Sequence, residues 1–110
     1  QLDNLSYLAT INWIMGHKEE AVHFFREILH YHKKSLAGRI NLAIAYSQLE
    51  NYDSARELLL DARRDEYVDT DIDELLSYIN SNKKPPFKGF LSFDYFISNL
   101  KDVFYRPKVK

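Results

Sequence analysis

The chain's 110 residues predict an all-α fold, a stack of helix hairpins. Three observations carry that expectation. Apolar residues recur at three- and four-residue spacing through the first eighty positions, the sequence repeats itself with a period of 34, and only three Gly and three Pro punctuate it. Such spacing puts apolar side chains on one stripe of a helix, and a turn-rich β-sandwich needs more breakers than these. With 45% apolar and 28% charged residues the composition is that of one globular domain. There is no Cys, hence no disulfide framework, thiolate metal site or Cys nucleophile. No apolar run approaches the roughly 18 residues of a membrane span.

The elements follow in order. Leu5, Leu8, Ala9 and Asn12 mark a helix near 3–15, ended by Gly16-His17 because Gly fits the left-handed turn that closes a helix. Ala21, Phe24, Phe25, Ile28 and Leu29 mark the next, near 18–31. Ile40, Ala43, Ile44 and Ser47, with Leu42 and Tyr46, define a helix over 35–49 that breaks at Glu50-Asn51. Ala55, Leu58, Leu59 and Ala62 define one over 52–64, with Asp53 and Ser54 as polar groups for its first turn. Thr70-Asp71-Ile72-Asp73 opens a fifth helix over 70–81, its stripe formed by Ile72, Leu75, Leu76 and Ile79. A sixth is expected over 92–105, capped by Ser92 and stopped before Pro107, with Phe93, Phe96, Ile97, Leu100, Val103 and Phe104 on one face.

Shifted by 34 positions, Leu2 falls on Leu36, Leu8-Ala9 on Leu42-Ala43, Ala21 on Ala55, Phe25 on Leu59 and Glu27 on Asp61. Two helices per 34 residues is the period of a tetratricopeptide repeat. The residue types explain the recurrence: alanines stand where the helices of a hairpin cross closely, and larger side chains fill the space around them. Over residues 2–69, in units 2–35 and 36–69, the chain resembles the tetratricopeptide repeat family. Leu8-Ala9 and Leu42-Ala43 match its large-then-small pair, Tyr46 its aromatic place, and Ala21-x3-Phe25 and Ala55-x3-Leu59 its second helix. Leu5 and Arg39 replace the family's leading Trp, Asn12 its first Tyr, and Lys33 and Tyr67 its terminal Pro. The resemblance implies a right-handed α–α superhelix.

Two units and a third helix form a body over 1–82, followed by a Pro-containing linker and a C-terminal capping helix with a basic tail over 83–110. The boundary is electrostatic: residues 1–80 hold eight Lys/Arg against fourteen Asp/Glu, and residues 81–110 seven against two. With no hairpin partner after the fifth helix, Ile72, Leu76 and Ile79 are expected to lack cover. The expected remedy is that residues 90–105 dock on that helix, Pro85 and Pro86 making the turn and the basic end meeting the acidic stretch 65–74. The competing arrangement lays the tail in the concave groove, or exchanges it with a second copy, so the chain is expected as a monomer or a tail-exchanged dimer.

The chain carries no motif of catalysis or of a cofactor site: no glycine-rich phosphate loop, no Gly-x-Ser-x-Gly, no His-Glu-x-x-His. An enzyme is not expected, and no cofactor. His23, Glu27 and His30 share one helical arc, but three ligands on one straight helix seldom surround a metal ion, so a solvated face is expected. Asp69-x-Asp71-x-Asp73 lacks the Gly and terminal Glu of a calcium loop, and carboxylates suit a helix N-terminus without any ion. The sequon Asn4-Leu5-Ser6 lies inside a helical pattern. Lys83, Lys84, Lys88, Lys101, Arg106, Lys108 and Lys110, interleaved with Phe87, Phe90 and Tyr105, could contact phosphates and stack bases. The acidic body would repel a polyanion, and nucleic acid or an anionic surface ranks as a lesser alternative.

The resemblance also implies where a partner binds, since the family's ligands lie in the groove lined by the first helix of each unit. That places Tyr7, Thr10, Trp13 and Ile14 in the groove from the first unit, Ile40, Asn41, Ile44 and Gln48 from the second, and Leu75 and Tyr78 from the third helix. Trp and Tyr anchor partners with large rigid area, and an Asn can meet a peptide backbone with both donor and acceptor. Of the subfamily pattern that clamps chaperone tails only Asn41 matches, because Ser6, Thr10, Asp71 and Leu75 stand where its cations and second Asn would be, so a terminal carboxylate would be left unpaired. The expected function is a scaffold or adaptor that binds a protein or peptide partner. The alternative is a structural spacer within a longer array.

Overall fold

A computed structural model of the chain describes residues 2–65 and 70–91. Among the described residues there are five helices and no strand: α1 (Leu2–Ile14), α2 (Lys18–Tyr31), α3 (Leu36–Gln48), α4 (Tyr52–Arg64) and α5 (Thr70–Ile79). The fold is all-α, and each helix falls within two residues of its expected span. The sixth helix expected over 92–105 lies outside the described residues. No helix among them is long and apolar enough to cross a membrane.

α1 packs on α2 and α3 on α4 as hairpins, α2 on α3 stacks one hairpin against the next, and α5 closes on α3 and α4. Ala9, Ala21, Ala43 and Ala55 are all at 0% exposure, which is why Ala recurs at these positions: helix axes 8–10 Å apart leave no room for more than a methyl group. Phe25 and Leu59, one period apart, fill the two resulting cores.

The first helices of the units share one kind of ending. At α1, Gly16 takes φ +87°, its N–H donates to Trp13 O and that of His17 to Asn12 O at 2.8 Å. At α3, Glu50 takes φ +65°, its N–H donates to Ser47 O, and that of Asn51 to Tyr46 O at 2.9 Å. At α5, Asn82 takes φ +54°, with its N–H on Ile79 O and that of Lys83 on Tyr78 O at 2.9 Å. These paired bonds around a left-handed residue satisfy carbonyls that a helix end would otherwise leave open. Glu50 does this without the freedom of glycine.

Arg39, where the family pattern has Trp, is buried at 8% exposure. Its guanidinium reaches the Asp65 carboxylate at 2.9 Å and donates to Lys33 O at 3.0 Å, tying the α2–α3 turn to the end of α4. The hydrogen bond from Arg39 is the main reason the Asp65 carboxyl is held below the usual carboxylate range; Lys34, 3.5 Å away, adds to it.

The expectation that α5 lacks cover is corrected. Ile72, Leu76 and Ile79 are buried in one core with Ile40, Ala43, Ala55 and Leu59, because α5 seats its stripe in the notch between α3 and α4. Arg56 of α4 fastens its end, donating from Nη2 to Ile79 O at 3.1 Å and from Nε to Asn80 Oδ1 at 3.0 Å. The turn is also made earlier than expected, at residues 80–82 and not at the prolines.

Candidate functional site

Beyond Asn82 the chain leaves helix and crosses the face built by α1, α3 and α5. Local sequence prepares it for this. Pro85 and Pro86 fix their own φ and lack N–H donors, and they push Lys84 and Pro85 before them towards extended backbone. An extended strand of chain has its polar groups free, and the groove supplies partners. Gln48 Nε2 donates to Pro85 O at 2.7 Å. Asn41 clamps Leu91 from both sides, accepting its N–H on Oδ1 at 2.7 Å and donating from Nδ2 to its carbonyl at 3.1 Å.

Aromatic rings supply the apolar part. Phe87 stacks on Trp13 with centroids 6.0 Å apart, and Phe90 meets the same indole edge-on at 5.4 Å while reaching Phe25 of the core at 4.6 Å. Gly89, between them, takes φ +91°. Side-chain-bearing residues rarely adopt that conformation, and here it lets two rings three residues apart address one Trp. Lys18 Nζ covers the indole 4.6 Å from its centroid.

Charge follows the same path. Lys84 Nζ lies 3.8 Å from Glu50 and Lys88 Nζ 2.9 Å from Glu74, whose carboxylate holds the Lys88 ammonium above the ordinary lysine range, first by its hydrogen bond and then by its charge. These pairs join the basic C-terminal part to the acidic body. They engage Lys84 and Lys88, as Trp13 engages Phe87 and Phe90, four of the residues on which a nucleic-acid reading rests; Lys83 is exposed, and Lys101, Tyr105, Arg106, Lys108 and Lys110 lie outside the described residues. Between the segment and the helices a cleft of about 200 Å³ remains, lined by Ile40, Ile44, Leu75, Tyr78, Pro85 and Phe90 among others.

Of the residues expected in the groove, Trp13, Asn41 and Gln48 meet the segment, and Ile40, Ile44, Leu75 and Tyr78 line the cleft beside it. Thr10 is half-buried on α1. Tyr7 and Ile14 stand one period before Asn41 and Gln48 but are 65% and 76% exposed, since α1 packs on α2 alone among the described helices. Sequence reasoning missed Phe25, Glu50 and Glu74 as groove contacts. It also took the residues from 83 to the docking tail at 90 for a connector, although the Phe87–Phe90 spacing and the Lys84 and Lys88 charges were in view. Residues 90 and 91, the start of the tail expected on α5, meet Trp13 and Asn41 in the groove, and Leu91 also packs on the core that holds Ile72, Leu76 and Ile79; the rest of that tail lies outside the described residues.

On the outer face of α2, His23 Nε2 lies 3.9 Å from Glu27 and His30 packs edge-on against Tyr31. Among the described residues no three His, Asp or Glu side chains come together as metal ligands.

Stacked two-helix hairpins with small residues at each crossing define a helical-repeat protein of the α-solenoid class. The sequence profile of the tetratricopeptide repeat matches residues 15–78, more than half of the chain, and the chain belongs to the tetratricopeptide repeat family. The matched stretch runs through α2, α3, α4 and most of α5, so it takes in the third helix. Against curated proteins and solved structures the chain has no match. Repeats of this family generally mediate protein–protein interaction.

Proposed function

We propose that the chain is a non-enzymatic protein-interaction module, a scaffold or adaptor that takes an extended partner segment in the groove of α1, α3 and α5. The observation that carries this reading is the Asn41 clamp: a side chain that both donates to and accepts from one residue's backbone recognises extended chain whatever its sequence. Gln48 adds a second backbone contact, Trp13 an aromatic platform, and Ile40, Ile44 and Tyr78 an apolar wall. Tyr7, Thr10 and Ile14 extend the surface along α1.

The test is a selection of random extended peptides displayed against the full chain. Selected peptides are expected to lose at least tenfold in affinity to an Ile44→Ala, Tyr78→Ala variant, both half-buried positions, and to bind unchanged to Glu57→Ala on the outer face of α4. Peptides that bind equally to the groove variant would place the partner surface elsewhere.

A further inference from the structure

We infer that residues 85–91 are a resident ligand of the groove, and that the partner is a protein segment of the same chemistry, an extended aromatic–cation–Gly–aromatic–apolar stretch, which must displace them. The inference rests on the groove reading above and adds what the groove selects and how it is kept closed.

The contacts are those of a ligand more than of a core element. Among the described residues the segment is held by side chains, those of Asn41, Gln48 and Glu74, and by rings, with Glu50 pairing Lys84 just before it. Two of the segment's side chains touch the cores from outside, Phe90 through Phe25 and Leu91 beside the cluster of Ile40, Ile72 and Leu76, and both stay only partly buried. Phe87 is 45% exposed, and the Lys88–Glu74 pair is open to water on both sides. Among the described residues a cleft stays open beside Lys88 and Gly89, so residues 85–91 do not exhaust the apolar wall. A core strand would be expected to close such a space, since interiors pack densely.

The same contacts state the specificity. Two rings must reach Trp13 from positions three apart, which the positive φ of Gly89 permits. A cation must sit before that glycine to face Glu74. The backbone of the residue after the second ring must meet Asn41. A partner with this pattern satisfies every group that the resident segment satisfies; any extended partner can pair with Asn41, but one without the cation leaves Glu74 unpaired and one without the rings leaves Trp13 uncovered.

Tethering sets the barrier. The segment follows α5 directly, and a short tether presents a ligand at an effective concentration on the order of 1 mM. A free segment of equal contacts, binding with Kd of roughly 10–100 μM, is then held back about ten- to a hundredfold.

The experiment uses the full chain and a fluorescent peptide of residues 83–91, Lys-Lys-Pro-Pro-Phe-Lys-Gly-Phe-Leu, read by anisotropy. The peptide is expected to bind a Phe87→Ala, Phe90→Ala chain at least tenfold more tightly than the unaltered chain, and a peptide with Val in place of Gly89 is expected to lose that gain. Because Phe90 touches the core, a second variant, Lys88→Glu, opens the segment without touching packing and is expected to gain two- to fivefold. If the double variant loses helicity, Lys88→Glu alone decides. Equal binding to the unaltered and opened chains, or to none, overturns the inference. So does sedimentation showing an unaltered dimer that Phe87→Ala, Phe90→Ala makes monomeric, for the segment would then be exchanged between copies. Failure here with display-selected peptides still lost on Ile44→Ala, Tyr78→Ala leaves the groove reading intact; failure of those peptides alone would remove the groove reading instead.

Discussion

Asn41→Ala is the perturbation with the most direct structural consequence. Asn41 is 5% exposed and makes two hydrogen bonds to Leu91, of 2.7 and 3.1 Å. Removing the amide strands a part-buried N–H and a part-buried carbonyl. At about 1 kcal/mol net for each bond, the segment's attachment weakens by about 2 kcal/mol. That free energy is local, because the segment can lift without unfolding the helices. The assay is amide hydrogen exchange resolved by residue. Exchange at Leu91 should quicken roughly thirtyfold, while amides in the middle of α3 and α4 should change little. Asn41→Asp should do no better near neutral pH, since its carboxylate would face the Leu91 carbonyl in place of the lost donor. Unchanged protection at Leu91 in Asn41→Ala would refute the clamp and the account of the segment built on it.

Glu50→Gly should raise stability by about 0.5–1 kcal/mol in urea unfolding, because Glu50 holds φ +65° at an expense that glycine avoids, and the Lys84 pair it forfeits is exposed and weak. Arg56→Ala should lower stability by about 1–2 kcal/mol, as Ile79 O and Asn80 lose a charged donor at the end of α5; Arg56→Lys should recover only part of this, having no fork to make both bonds. The depressed Asp65 carboxyl adds stability that is complete above the ordinary carboxylate range and is lost as pH falls through its lower folded value. Asp65→Asn should therefore flatten the acid limb of a melting-temperature profile, and an unchanged limb would show that other carboxylates govern it.

The five helices and their order could be read from residue spacing because that information is local. A helix stripe repeats within eight residues, and the alanines at 9, 21, 43 and 55 recur at a period that only stacked hairpins explain. Trp13, Asn41 and Gln48 could be placed on one face for the same reason: once the period is known, position within the unit determines direction. Glu50 as the break in the third helix was visible too, though not its left-handed backbone, since many residues can end a helix.

What decided the rest was contact between parts of the chain that no period relates. Residues 83–91 have neither helical nor strand spacing, and Lys, Pro and Phe there serve a linker, a nucleic-acid arm or a ligand equally well. Only the fold brings Leu91 to Asn41, fifty positions away, and sets Phe87 and Phe90 on Trp13. The burial of Ile72, Leu76 and Ile79 was hidden for a related reason, because a stripe shows that a face needs cover and not which face supplies it. Helix propensity and repeat spacing are properties of neighbours along the chain, so the sequence alone determined the architecture. Which surface the remaining apolar and charged groups settle on depends on complementarity summed over three helices, and that exists only once the fold turns α1, α3 and α5 toward one face.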